Sequence, residues 1–104
     1  MTDLEKARAL LEAEGYGCVL FGEEGCHASK RRGVSSLVEW LEKGLDMKGY
    51  AAADKIVGKA AAMLFVLGGV SQVYAAVLSQ KGLAVLEENG ISVQYDTLDR
   101  KSVV

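Results

Sequence analysis

Asp54, Lys55, Gly58 and Lys59 are the residues whose types and spacing most readily suggest chemistry. They interrupt the apolar stretch 51–67, which the sequence predicts as one long helix that is apolar on most faces. Lys55 and Lys59 are four apart, so on a helix they share a face. A helix-interior glycine is less stable than alanine by about 0.5–1 kcal/mol, and Gly58 therefore calls for a close approach by a ligand or another backbone. Asp54 suits the positive end of the helix dipole. Together the four residues predict an anion site at a helix start. The plainer alternative is a solvated charged stripe whose lysine stems lie over apolar neighbours. Ser29-Lys30-Arg31-Arg32-Gly33 contains the one dense positive cluster of the chain and could add to that site.

Cys18, Cys26 and His27 invite a metal. A catalytic zinc needs about three protein ligands converging at roughly 2.0–2.3 Å. Residues 16–21 and 25–29 read as a hairpin, and a Glu23-Glu24 loop sets Cys18 opposite Ser29, Leu20 opposite His27 and Phe21 opposite Cys26. Side chains alternate faces along a strand, so Cys26 points away from Cys18 and His27. The same parity keeps His27 from serving as base to a Cys26 nucleophile. No metal and no cofactor is expected.

The elements that must position these residues follow from pattern. Thr2 and Glu5 form a capping-box pair ahead of a helix that stops at Gly15. Residues 34–43, with Leu37, Val38, Trp40 and Leu41, suit a short amphipathic helix capped by Ser35 or Ser36. After the 51–67 helix, Gly68-Gly69 is a stop. Residues 70–78 read as a buried strand, 79–88 as a helix and 91–95 as a last strand. Residues 96–104 show no period and are expected to be a loose tail. This order predicts an α/β fold with a mixed, four-stranded sheet and helices on both faces.

Bulk properties narrow the class. The 104 residues suit a single domain, 1–104. A net charge of −2 and a pI near 5.4 argue against a nucleic-acid partner held by a basic field. No apolar run approaches the roughly 20 residues of a membrane helix, so no membrane partner is expected. The acidic, amphipathic start is not a secretory signal, and two cysteines make no disulfide framework. A cytoplasmic protein is expected.

The segments SKRRGV (29–34) and AADKIVGKAAAMLFVLGGVSQVYAAVLS (52–79) resemble the DUF1893 family, small prokaryotic proteins of unassigned function with a fold similar to cytidine deaminases. The resemblance spans roughly 18–95 and implies a three-layer α/β/α sandwich. It does not bring zinc chemistry. Zinc deaminases use His-x-Glu and Pro-Cys-x-x-Cys. By position the first motif falls near 51–55, where there is neither His nor Glu, and a chain without proline cannot carry the second. His27-Ala28-Ser29 has serine where the proton-shuttling glutamate is required.

The resemblance places a pocket at the start of the central helix. That implies Asp54, Lys55, Gly58 and Lys59, with Ser29, Arg32 and Gly33 as neighbours. Such a set suits a small anionic ligand such as a nucleotide. The rival reading is a non-enzymatic interaction protein that acts as a homodimer, through 73–77 or through the helix 34–43 with Trp40.

Overall fold

The computed structural model describes residues 2–31 and 34–100. Among them the order is α1 (Asp3–Glu14), β1 (Cys18–Gly22), β2 (Gly25–Ser29), α2 (Ser35–Glu42), β3 (Ala51–Val57), α3 (Lys59–Gly68), β4 (Gln72–Ser79), α4 (Gln80–Glu88) and β5 (Ser92–Asp99). The sheet runs β2-β1-β3-β4-β5, with β1 antiparallel to both neighbours and β3, β4 and β5 parallel. α1 covers one face through Leu4, Ala7 and Leu11, which pack on Val19, Ala51, Ala53 and Tyr74. α2, α3 and α4 cover the other face, where Leu37, Phe65 and Leu86 meet Leu20, Ala52 and Val73. No helix among the described residues is long and apolar enough to cross a membrane.

Local signals explain most of these elements. The Thr2 side chain accepts the Glu5 N–H and the Glu5 carboxylate accepts the Thr2 N–H, both at 3.1 Å, so α1 starts on a closed capping box. The hairpin register pairs Cys18 with Ser29, Leu20 with His27 and Phe21 with Cys26, as the two-residue loop predicts. Ser79 caps α4 by accepting the Gly82 N–H at 2.9 Å.

Residues 51–67 do not form one helix. Ala51–Val57 is a strand at the centre of the sheet, and the helix begins only after Gly58, whose backbone is extended. Alanine has high helix propensity, but here Ala51, Ala52 and Ala53 are buried between helices on both faces. Small side chains let those helices approach the sheet, and tertiary packing overrides the local preference. The sheet therefore has five strands, not four.

Three smaller expectations also change. Residues 96–99 belong to β5, because Leu98 packs on the core and Asp96 accepts the Tyr74 hydroxyl at 2.6 Å. Residues 101–104 lie outside the described residues. Neither Ser35 nor Ser36 caps α2: its N-cap is Val34, which has no side-chain bond to offer. Residues 73–75 are buried within β4, so of the 73–77 stretch only the half-buried Ala76 and Val77 are left to meet a partner.

Candidate functional site

One end of the sheet gathers the start of β1 and the ends of β2 and β3. The two registers place Ser29, Cys18 and Asp54 in one row across these strands, with Cys18 in the middle. Residues in register on neighbouring strands share a face and stand about 4.8 Å apart. Cys18 belongs to the cluster under α2, α3 and α4, so this row lies on the three-helix face.

Asp54 is the unusual member. It is only 5% exposed, and Cys18 only 1%. The Cys18 thiol donates to the Asp54 carboxyl and the Ile56 N–H donates to Oδ1 at 3.3 Å, while the Lys55 N–H is taken by the Gly17 carbonyl. No cation among the described residues forms an ion pair with it. Burial pushes the Asp54 carboxyl up to about 7, against the pull of those donors. Burial likewise pushes the Cys18 thiol well above its usual value, and the adjacent carboxylate adds to the rise. At neutral pH Asp54 therefore stands near half-protonation. This is unusual for an aspartate.

Two helix starts open at the same end. α2 follows the end of β2, whose last residue Ser29 is in the row, and α3 follows β3, which runs past Asp54 to Val57 before the helix begins. Neither start has a side-chain cap, whereas α1 and α4 are capped by Thr2 and Ser79. An uncapped start leaves backbone N–H groups aimed outward, with the positive end of the dipole behind them. The buried Ser36 hydroxyl donates to Ser29 Oγ at 2.8 Å, and Ser29 Oγ also accepts the Arg31 N–H at 3.1 Å. These bonds tie the first turn of α2 to the end of the row. Asp3, Glu23, Glu24 and Asp46 surround a 360 Å³ hollow at the opposite end of the sheet.

The sequence-predicted residues are thus partly assembled. Asp54 and Lys55 lie on β3, Gly58 is the N-cap of α3, and exposed Lys59 is its first residue. Lys55 and Lys59 do not share a helix face, because the strand ends between them. Gly58 also lies outside the helix interior, so the penalty inferred for it does not apply. The close approach there belongs to Gly82, where a Cβ would stand 3.1 Å from the Gly58 carbonyl oxygen. Ser29 is in the row by its register with Cys18, and the Ser36 bond ties it to α2. Arg32 and Gly33 lie outside the described residues. Arg31 is engaged by Glu39 of α2, which also holds Lys43.

Ser36 is a candidate that sequence reasoning named only as a helix cap, and Cys18 one that it weighed only as a metal ligand or packing residue. Cys18 was legible as the partner of Ser29, but its contact with Asp54 depends on β3 being a strand. The metal candidates are dispersed. Cys26 is exposed on β2, and the His27 ring lies 6.1 Å from Trp40 and 6.3 Å from Tyr50. Among the described residues no group of three His, Cys, Asp or Glu side chains is placed to hold a metal ion.

Comparison with known proteins agrees with this fold. The family described as "TM1506: Domain of unknown function (DUF1893)" matches residues 6–98. A crystal structure of a DUF1893 family protein (TM1506) from Thermotoga maritima superposes with a TM-score of 0.86 at 25% identity, covering all of this chain and 71% of that one. A diaminohydroxyphosphoribosylaminopyrimidine deaminase/5-amino-6-(5-phosphoribosylamino)uracil reductase of Thermotoga maritima gives 0.56 at 16% identity, over 88% of this chain and 34% of that one. RibD of Acinetobacter baumannii gives 0.58 at 18% identity, over 90% and 35%. At these identities the last two show a shared deaminase-like fold and nothing finer. No curated protein matches the sequence. The deaminase zinc signature needs His, Glu and Cys at its helix starts. Here α2 begins Ser35-Ser36-Leu37 and α3 begins Lys59-Ala60-Ala61.

Proposed function

This chain belongs to the DUF1893 family, and we propose that it binds a small anionic ligand, such as a nucleotide, where α2 and α3 begin. Asp54 carries the reading. A buried carboxyl without a cation partner destabilises the fold, and such groups concentrate at functional sites. The setting agrees: two uncapped helix starts, with Lys59 the first residue of α3, favour phosphate or carboxylate over a neutral base. The starts of α2 and α3 carry none of the deaminase zinc ligands, and the proposed site calls on no metal.

A thermal-shift panel of AMP, GMP, CMP, UMP and sulfate tests the proposal, because a ligand that binds only the native state raises the melting temperature. At least one nucleotide at millimolar concentration is expected to raise it. Lys59→Ala, at an exposed position, is expected to weaken that affinity about three- to tenfold, the scale of losing one favourable charge at a helix start. No shift from any member of the panel contradicts the reading.

A second reading is favoured by α3. From Ala60 to Leu67 it carries no polar side chain, yet Met63 is 54% and Leu67 74% exposed. A helix apolar all round is normally covered all round. On this reading the α3 side, with Val38 of α2, is the face of a homodimer and the chain acts as an interaction protein. Sedimentation equilibrium checks it: a dimer that Leu67→Lys dissociates supports this face, and a monomer at all concentrations rejects it.

A further inference from the structure

β2 is an edge strand. Among the described residues β1 is its one partner, so a row of its backbone N–H and C=O groups faces outward. Exposed edges are usually blunted by charges, a proline or a bulge. β5, the other edge, carries Asp96 and Asp99. β2 has none of these devices: Gly25-Cys26-His27-Ala28-Ser29 holds no charge and no proline, and it pairs with β1 at every residue. The charges stand just outside it and differ in sign. Glu23 and Glu24 precede the strand, and Lys30 and Arg31 follow it. Arg31 is held by Glu39 of α2, but Glu23, Glu24 and Lys30 form no ion pair among the described residues. Glu23 and Glu24 also share their hollow with Asp3 and Asp46, four carboxylates with Lys48 as the one cation in its lining.

A segment that is acidic at one end, uncharged in the middle and basic at the other complements its own reverse. We propose that β2 pairs antiparallel with β2 of a second copy of this chain, joining two five-stranded sheets into one of ten strands. The two-fold axis passes at His27, so residue numbers across the join sum to 54. Glu24 of each copy then stands opposite the partner's Lys30, and Cys26 opposite the partner's Ala28. The charges fix this register. A slip of one residue turns every side chain to the wrong face, and a slip of two takes Glu24 off Lys30. Cys26 and Ala28 are in register with Phe21 and Val19, which pack under α1, so both lie on the α1 face. Both are exposed and small enough for a second strand to approach. This surface is separate from the α3 side, and the inference depends on neither reading above. Five residues a side bury less than the roughly 1,200–2,000 Å² of a standard interface, so the pair is weak and exchanges with monomer.

Cross-linking of the full chain tests both the pairing and its register. In Ala28→Cys, at an exposed position, the new thiol stands opposite the partner's Cys26, with Cα atoms about 4.5–5.5 Å apart, within disulfide reach. Oxidised glutathione is expected to turn most of this variant into a covalent dimer. The parent and Cys26→Ser/Ala28→Cys are expected to stay monomeric under the same treatment. Like thiols there lie two residues off register, about 7–8 Å apart on the diagonal. In the Ala28→Cys chain, Glu24→Lys is expected to slow cross-linking about threefold or more at low salt, since two exposed ion pairs are lost per dimer. Adding Lys30→Glu is expected to restore the rate. Leu67→Lys, which disrupts the α3 face, is expected to leave it unchanged. An Ala28→Cys protein that melts like the parent yet does not cross-link overturns the inference. So does equal cross-linking in Cys26→Ser/Ala28→Cys, or a charge reversal without effect. Loss of cross-linking on Leu67→Lys also overturns it and assigns the association to α3.

Discussion

Replacing Asp54 with asparagine is expected to make the protein more stable at pH 8 by about 2–4 kcal/mol. The native carboxyl titrates near 7 and the unfolded one near its ordinary value of 3.8, because burial disfavours the charged form. Between those values the native state holds more protons than the unfolded state, so stability falls as pH rises through the window and levels off above it. Each pKa unit is worth about 1.4 kcal/mol, and roughly three units separate the two states, which sets a ceiling near 4 kcal/mol. Asparagine has no charge to bury. Its amide oxygen keeps the acceptor for the Cys18 thiol and the Ile56 N–H. Urea unfolding at pH 5 and pH 8 should show a gain that shrinks by about half or more at the lower pH. A variant less stable than the parent at pH 8 would mean that Asp54 is held ionised by a cation.

Gly17→Ala is expected to cost about 3 kcal/mol or more. A Cβ at Gly17 would stand 2.2 Å from the Arg31 carbonyl oxygen, which is backbone and cannot swing aside. Gly17 is also tied on both sides: its N–H donates to the Ser29 carbonyl at 2.7 Å, and its carbonyl accepts the Lys55 N–H at 3.2 Å. It therefore holds the end of β2 and the end of β3 in position beside Cys18. An added methyl must push the 30–31 backbone outward, which loosens Ser29 and its bond to Ser36 at the start of α2. Gly15→Ala is the control. Nothing lies within 4 Å of a Cβ there, and its strain comes from φ of +67° alone, about 1–2 kcal/mol. A Gly17→Ala loss no larger than that of Gly15→Ala would show that the 30–31 backbone yields freely.

The two substitutions have opposite signs at one end of the sheet, and both bear on the same site. Asp54 is tolerated at the expense of stability, while Gly17 keeps the strands close enough to form the row. A core that evolved for stability alone would place an apolar residue opposite Cys18.

How much of this was legible depends on the residue. The hairpin register could be read because a two-residue loop fixes parity, and that alone put Ser29 opposite Cys18. The start of α1 could be read because Thr2 and Glu5 satisfy each other locally. β3 could not, because Ala-Ala-Ala followed by Asp-Lys hides the branched side chains that mark a strand, and short apolar runs fit either period. Asp54, Gly58 and Lys59 were therefore named as site residues on the wrong scaffold. They do stand at one end of the sheet, but as the end of a strand, a turn and the start of a helix. The Cys18–Asp54 contact required the strand and was invisible without it. The end of β5 was missed because Asp96 and Leu98 find their partners, Tyr74 and the core, far away in sequence.

The measurement that bears most directly on the anion site is an amide chemical-shift map of the ¹⁵N-labelled protein titrated with the nucleotide that gives the largest thermal shift. A ligand seated as proposed moves the amides of Ser35, Ser36, Leu37, Lys59, Ala60 and Ala61 together with Cys18 and Asp54. Shifts confined to other parts of the chain, such as the acidic hollow around Glu23 and Asp46 or the exposed side of α3, would contradict it.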